Sequence, residues 1–122
     1  MINEQWGRTF FEMVDRKNAD EYSTHFTEDG QVIFGNELPI KGKENIHQGI
    51  TKFYNGLESM HHQIANLWVP APDTVVNQAV AVYVQKGGRQ ISLPVVTVIN
   101  VAAGTELVRK VQFYMDMSPL KS

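Results

Sequence analysis

Near the C-terminus the chain reads LVRKVQFYMDMSPL, residues 107–120, and places an acid, Asp116, in a stretch that otherwise has the composition of a β-strand. Strand interiors disfavour Asp. Side chains alternate along a strand, so Gln112, Tyr114 and Asp116 share one face, and Val111, Phe113 and Met115 the other. The polar face is either open to solvent or the wall of a pocket. A mostly apolar pocket would raise the pKa of Asp116 and suit it to proton transfer near neutral pH. At the surface, Asp116 would end the strand and cap the turn before MSPL.

A second titratable candidate lies in SMHHQIANLWV, residues 59–69, also of strand composition. There His62, Ile64, Asn66 and Trp68 share a face, and His61 points the other way unless the register slips by one residue. Imidazole titrates close to physiological pH, so His62 beside a pocket aspartate would form a proton-transfer pair, with Asp116 as its expected partner. Tyr114 could donate a hydrogen bond to a developing oxyanion. Tyr22, Tyr54 and Trp68 have the amphipathic character of pocket walls as well as of packed core, and Asn66 and Gln112 complete the expected lining. His25 and His47 fall on helices, as solvent-facing or helix-end residues.

Other chemistries find no footing. Cysteine is absent, which excludes disulfides, thiolate nucleophiles and zinc–thiolate sites and suits a cytoplasmic protein. No HExxH or carboxylate–histidine spacing points to a metal. No Gly-rich loop precedes a helix, and no G-x-S-x-G elbow occurs, so neither a phosphate-binding cofactor nor Ser-based hydrolysis is indicated. The formal net charge of −2, with scattered Lys and Arg, does not suit nucleic acid. The N-terminus lacks the pattern of a signal peptide, and no apolar run approaches the roughly 20 residues of a membrane helix.

The elements that must position these residues come in two groups. Helical spacing of Trp6, Phe10, Met13 and Val14 predicts a helix over 3–17, with Asn3 as its cap. KNADEYSTHF predicts a second, with Asn18 and Glu21 in a capping-box relation. TEDG (27–30) reads as a turn, QVIFG as a short strand, and NELPIKG as a loop. Ile46, Ile50, Phe53, Tyr54 and Leu57 predict a third helix over 43–55, ended by Gly56. The period then changes to two or to continuous apolar runs. Strands are expected over 59–69, 74–85, 90–101 and 106–116, joined by short turns, KGGR among them, into an antiparallel meander. Pro94, inside the third, argues for an edge position or a bulge. Length, with 43% hydrophobic and 20% charged residues, fits one domain over residues 1–122. Helices followed by strands make an α+β fold. VVTVINV and AVAVYV are apolar on both faces, so a second copy is expected to cover the face away from the helices, giving a homodimer through the sheet.

The order of these elements, with FTEDGQVIFG, GKENIHQGITKFY, HQIANLWV and FYMDMSPL, resembles the nuclear transport factor 2-like (cystatin-like) superfamily. Within it the chain is most similar to the SnoaL-like polyketide cyclase group, over roughly residues 3–120. The resemblance implies three N-terminal helices on the concave face of a curved antiparallel sheet, a cone-shaped half-barrel enclosing a pocket. It also implies that the final-strand acid, here Asp116, points into that pocket as a general acid or base, and that a histidine such as His62 lies near it. Epoxide hydrolases of this fold add an Arg–Asp pair on an earlier strand. Here that strand reads NQAVAVYV, with neither residue, so the three-residue set is incomplete, and a ketosteroid-isomerase assignment would need a second pocket acid. The expected function is therefore cofactor-independent acid–base chemistry on a small apolar carbonyl or hydroxyl compound: isomerisation, dehydration or cyclisation. A non-catalytic binder or a dimerisation module of the same fold is the alternative.

Overall fold

A computed structural model of the chain describes residues 1–121. Helix α1 spans Glu4–Asp15 and α2 spans Ala19–Thr24. The side chain of Asn3 accepts from the Trp6 N–H, and that of Asn18 from the Glu21 N–H, so both helices begin on the side-chain caps the sequence offers. Strand β1 (Phe26–Phe34) and the two-residue β2 (Ile40–Lys41) precede α3 (Lys43–Asn55). Strands β3 (Leu57–Ala71), β4 (Thr74–Gln85), β5 (Gln90–Val101) and β6 (Val108–Tyr114) follow, and a short α4 (Ser118–Lys121) closes the described chain.

The six strands form one curved, unclosed sheet in the order β2-β1-β6-β5-β4-β3. Strands β3 to β6 make the antiparallel meander, but β1 runs parallel to β6, with Gln31 opposite Lys110 and Phe34 opposite Phe113. That parallel pair joins segments far apart in the chain and leaves no local pattern to read. Residues 27–30, expected as a turn, belong to β1, where the register with β6 shifts between Phe26 and Gln31. Strand β2 and helix α4 were not anticipated. Pro94 lies beyond the last β5–β6 pair, Val96 with Tyr114, so it has β4 on one side only, a local edge.

One face of the sheet packs under the helices. Val75, Asn77, Ala79, Ala81 and Tyr83 on β4, and Ile91, Leu93, Val95, Thr97 and Ile99 on β5, alternate into this inner face and are buried. Helix α1 closes over it with Phe10, Phe11, Met13 and Val14. It approaches closely because Gly7 has no Cβ; an added one would lie 2.9 Å from Leu67 and 3.1 Å from Val75. The outer face carries no helix and leaves Trp68, Val80 and Tyr114 exposed. Among the described residues no helix is long and apolar enough to cross a membrane.

Strand β3 is a free edge, and the end of α1 covers part of it. Lys17, at φ 56° just beyond the helix, reaches back so that its Nζ donates to the Leu57 carbonyl at 2.7 Å. Asp15 accepts the backbone N–H of His62 at 2.8 Å. Two edge groups thus find partners on the helix instead of remaining open to another strand.

Candidate functional site

The chemistry-bearing residues do not meet as the alternation of β6 suggested. Gln112 and Tyr114 do share a face, but it is the outer one, and Asp116 lies beyond β6, which ends at Tyr114 instead of running to 116. Tyr114 is 53% exposed and Gln112 half-buried between Val98 and Ile33. The carboxylate of Asp116 is exposed and accepts the Ser118 N–H at 3.0 Å, which holds it below its ordinary value and starts α4. This is the turn-capping role open to it as a surface residue. Asp116 and His62 lie on opposite sides of the sheet, so the expected proton-transfer pair does not form.

His62 does turn inward. Its side chain is 1% exposed, whereas that of His61 is 68% exposed, which decides between the two histidines. The run His62, Ile64, Asn66, Trp68 is split by a bulge. Ile64 pairs with Ala79 and Asn66 with Gln78, so Ala65 is one residue too many for its partner strand. Beyond it the faces exchange: Leu67 turns inward and is buried, while Asn66 and Trp68 face outward. Asn66 spends its amide on Gln78 at 3.0 Å on that outer surface. Asn66, Trp68, Gln112 and Tyr114 therefore do not line the interior.

The partner of His62 is Asp15, the last residue of α1. Its Oδ1 lies 2.7 Å from His62 Nδ1, and its Oδ2 accepts the His62 backbone N–H. A carboxylate accepts only, so Nδ1 carries a proton, and in the neutral ring Nε2 keeps a free lone pair. Nε2 is buried and has no hydrogen-bond partner. His61 approaches the same carboxylate from outside, with Nδ1 at 3.6 Å, beyond hydrogen-bond length.

His62 lines a small interior cavity of about 10 Å³, room for about one water. On the helix side Tyr22, Ile50, Phe53 and Tyr54 line it, and on the sheet side Met60, His62, Tyr83 and Phe113. Tyr22 and Tyr54, which the sequence left open between pocket wall and packed core, thus line an interior space. The hydroxyl of Tyr22, 1% exposed, also has no partner. Tyr54 donates to the Val14 carbonyl at 2.8 Å, and Tyr83 makes only a long contact, 4.0 Å, to Met115 Sδ. Burial pushes all three phenols above their ordinary value, Tyr22 most completely; the charge of Asp15 adds to the shift of Tyr54 and Tyr83. They remain protonated donors well into the alkaline range.

An unpaired buried polar atom costs about 1–3 kcal/mol, and here two of them, Tyr22 Oη and His62 Nε2, belong to residues that line one space. Together they offer a hydrogen-bond donor and a proton acceptor to a guest, inside apolar walls. Asn77 and Thr97, paired across β4 and β5 and fully buried, contribute further unpartnered atoms to the inner face. Among the described residues no cluster of three or more His, Asp or Glu side chains could hold a metal. The larger depressions are open surface grooves, including one beside α1 lined by Arg8, Phe11, Glu12, Asp15, Met60 and both His61 and His62, and one on the outer face that includes Tyr114 and Asp116.

Asp15, Tyr83 and the Phe34, Phe53 and Phe113 rings escaped the sequence reading. Asp15 left one signal. An acid at a helix C-terminus opposes the helix dipole, and an unfavourable acid at the edge of an apolar stripe has a reason elsewhere. Here the reason lies 47 residues away in sequence.

Comparison with known proteins agrees with this architecture. A crystal structure from Jannaschia sp. CCS1, described as a SnoaL-like polyketide cyclase, superposes with a TM-score of 0.78 at 20% identity, covering 93% of this chain and 85% of that one. A cystatin-fold protein from Novosphingobium aromaticivorans gives 0.77 at 16% identity, covering 93% and 97%. SalBIII, an epoxide hydrolase/cyclase-like enzyme of pyran ring formation in salinomycin, gives 0.78 at 11% identity, covering 91% and 88%. At these identities the likeness is one of fold. A search of curated proteins returned no match. The SnoaL-like domain profile matches residues 8–109, most of the chain, and with the helix-covered, curved sheet of the nuclear transport factor 2-like fold it establishes that the protein belongs to the SnoaL-like domain family.

Proposed function

We propose that the protein is a cofactor-independent acid–base enzyme acting on a small, mostly apolar carbonyl compound, with Asp15 and His62 as its proton-transferring pair and Tyr22 as its oxyanion donor. The observation that carries this reading is the unpaired His62 Nε2, on a ring that a carboxylate holds at Nδ1 and that lines the same cavity as Tyr22, whose hydroxyl is also unpaired. With the carbonyl oxygen accepting from Tyr22, Nε2 removes a proton from the carbon next to the carbonyl. The C–H electron pair moves into the new C=C bond, and the carbonyl pair onto oxygen. Asp15 stabilises the imidazolium across 2.7 Å. Return of the same proton to a different carbon completes an isomerisation with no net consumption of acid or base. Loss of a β-hydroxyl from the same enolate, as water formed with the imidazolium proton, would be dehydration, and attack of the enolate carbon on an internal carbonyl, whose oxygen takes that proton, would be cyclisation. Each needs only this set.

Exchange of α-hydrogens with D2O tests the reading, because it detects proton abstraction without knowledge of the natural substrate. 2-Tetralone and cyclohex-3-enone serve as probes, followed by proton NMR. The wild-type protein is expected to accelerate exchange, His62→Gln to lose about 10²–10⁴-fold, the span of general-base contributions, and Asp116→Asn to retain the wild-type rate. Exchange undiminished in His62→Gln, or absent with both probes, would overturn the proposal.

The homodimer expected from the sequence belongs to the same proposal. The outer face presents Val80, Pro94, Val96 and Tyr114 in adjacent rows of β4, β5 and β6, with Trp68 farther along β3. An apolar sheet face of this kind is most economically covered by a second copy of itself.

A further inference from the structure

The interior cavity, at about 10 Å³, is smaller than any carbonyl substrate. Two larger spaces share lining residues with it: the groove beside α1, through Met60 and His62, and a second, through two aromatic rings. A cleft of about 420 Å³ runs between α3, the segment that includes β2, and the C-terminal residues, and two of its lining residues, Phe34 and Phe53, also line the interior cavity. Two aromatic rings are thus the residues common to the two spaces.

The two rings are held differently. Phe34 is 9% exposed, stacked on Phe113 at 5.0 Å with the planes 9° apart, and anchored on β1. Phe53 is only partly buried and comes from the last turn of α3. It stacks on Phe34 at 5.2 Å and meets Tyr83 edge-on at 5.9 Å. Both rings border the cleft and the cavity, and of the pair Phe53 is the less buried.

We propose that this cleft is the entrance and outer subsite for the substrate, and that Phe53 is the residue that divides it from the Asp15–His62–Tyr22 chamber and sets which molecules pass. The inference rests on the reading of the dyad given above. The walls name the class of guest. Phe34, Ile40, Leu57, Met117 and Leu120 give the cleft an apolar lining, whereas the chamber offers Tyr22 and His62. The fitting molecule is flat and amphipathic, with one oxygen-bearing ring that slides past Phe53 and an apolar body that stays in the cleft. At the rim, Glu37 pairs with Lys121, and Gln85 Nε2 donates to the Leu120 carbonyl at 2.9 Å, so α4 is tied down as the outer wall.

The absence of cysteine makes a site-specific test possible. The probe is 2-naphthol, a fused bicycle with one hydroxyl, followed by its fluorescence and by the ring ¹⁵N signals of His62. Lys52→Cys, on the cleft wall, and Arg8→Cys, in the groove beside α1, are each compared before and after labelling with fluorescein maleimide. Labelling at position 52 is expected to weaken 2-naphthol binding at least about tenfold, and labelling at position 8 to leave it unchanged. Phe53→Ala should raise the association rate about tenfold or more by removing the barrier between the two spaces. If 2-naphthol shifts His62 but the label at 52 has no effect, or the label at 8 blocks instead, the entrance lies elsewhere, and this inference fails while the dyad stands. If 2-naphthol leaves His62 unmoved in both the wild type and Phe53→Ala, the chamber takes no such guest, and both proposals fall.

Discussion

Replacing Asp15 with Asn probes the central geometry with little change in shape. Asp15 accepts two hydrogen bonds, from the His62 backbone N–H at 2.8 Å and from Nδ1 at 2.7 Å. A carboxamide has one accepting oxygen and one donating NH2. If its oxygen stays on the edge N–H, which has no other acceptor assigned to it, the NH2 faces Nδ1. Nδ1 must then accept, and the imidazole proton moves to Nε2. Two charge-assisted bonds become neutral ones, a loss of about 1–2 kcal/mol, or a fall in melting temperature of several degrees for a chain of this size. Asp15→Ala leaves both donors without a partner and is expected to cost about 2–4 kcal/mol. Fold and tautomer thus separate: Asp15→Asn stays folded but presents an N–H, not a lone pair, to the cavity. Proton abstraction should fall steeply; the same replacement in the Ser-His-Asp triad costs about 10⁴-fold. Long-range ¹H–¹⁵N spectra of the His62 ring read the tautomer directly, and urea denaturation reads the stability. A wild-type ring protonated on Nε2 at pH 8, or an Asp15→Asn ring still protonated on Nδ1, would refute the reasoning.

Alkaline titration tests the buried phenols. Tyr22, Tyr54 and Tyr83 have raised folded-state values, mainly through burial. Their contribution is therefore complete below the unfolded tyrosine value near pH 10 and is lost as pH rises beyond it. Three such groups make stability fall by about 4 kcal/mol per pH unit there, so urea midpoints should drop steeply above pH 10, with tyrosinate absorbance appearing together with unfolding. Tyrosinate signal from these three in the folded protein would contradict their burial. On the outer face, Val80→Glu should convert the dimer to monomers in sedimentation experiments, and a monomeric wild type at high concentration would end the sheet-pairing proposal. The strand-end turn offers a check on packing: Gly35 sits at φ +55° with its Cβ position 2.7 Å from the Met115 carbonyl, so Gly35→Ala should destabilise by about 1–3 kcal/mol.

Periodicity told where helices and strands lie, because burial of a stripe or of one face is written locally. Asn3 and Asn18 announced their helices through side-chain caps, and β4, β5 and the KGGR hairpin followed from alternation and from Gly87 and Gly88 at positive φ. The same alternation put Gln112 and Tyr114 on one face, but it carried the strand on to Asp116, which lies beyond its end, and grouping does not say which face is inside. Both faces of this sheet are rich in apolar residues, so the helices, and not the pattern, chose the inner one. The bulge at Ala65 is a second failure of local reading. An extra residue in β3 shows only against its partner strand, and it carries Asn66 and Trp68 to the surface while leaving His62 inside.

The sequence by itself determined the α+β class, the helix-then-meander order, the tyrosines of the interior and a histidine pair of which one member would turn inward. Tertiary structure alone decided what that histidine meets. Asp15 reaches His62 because close packing at Gly7 brings α1 down on β3, so the helix ends with its last carboxylate against the open edge of that strand. A contact made by docking a helix on a sheet depends on approach distance and on the free edge it finds, and neither is encoded in the residues adjacent to Asp15 or to His62.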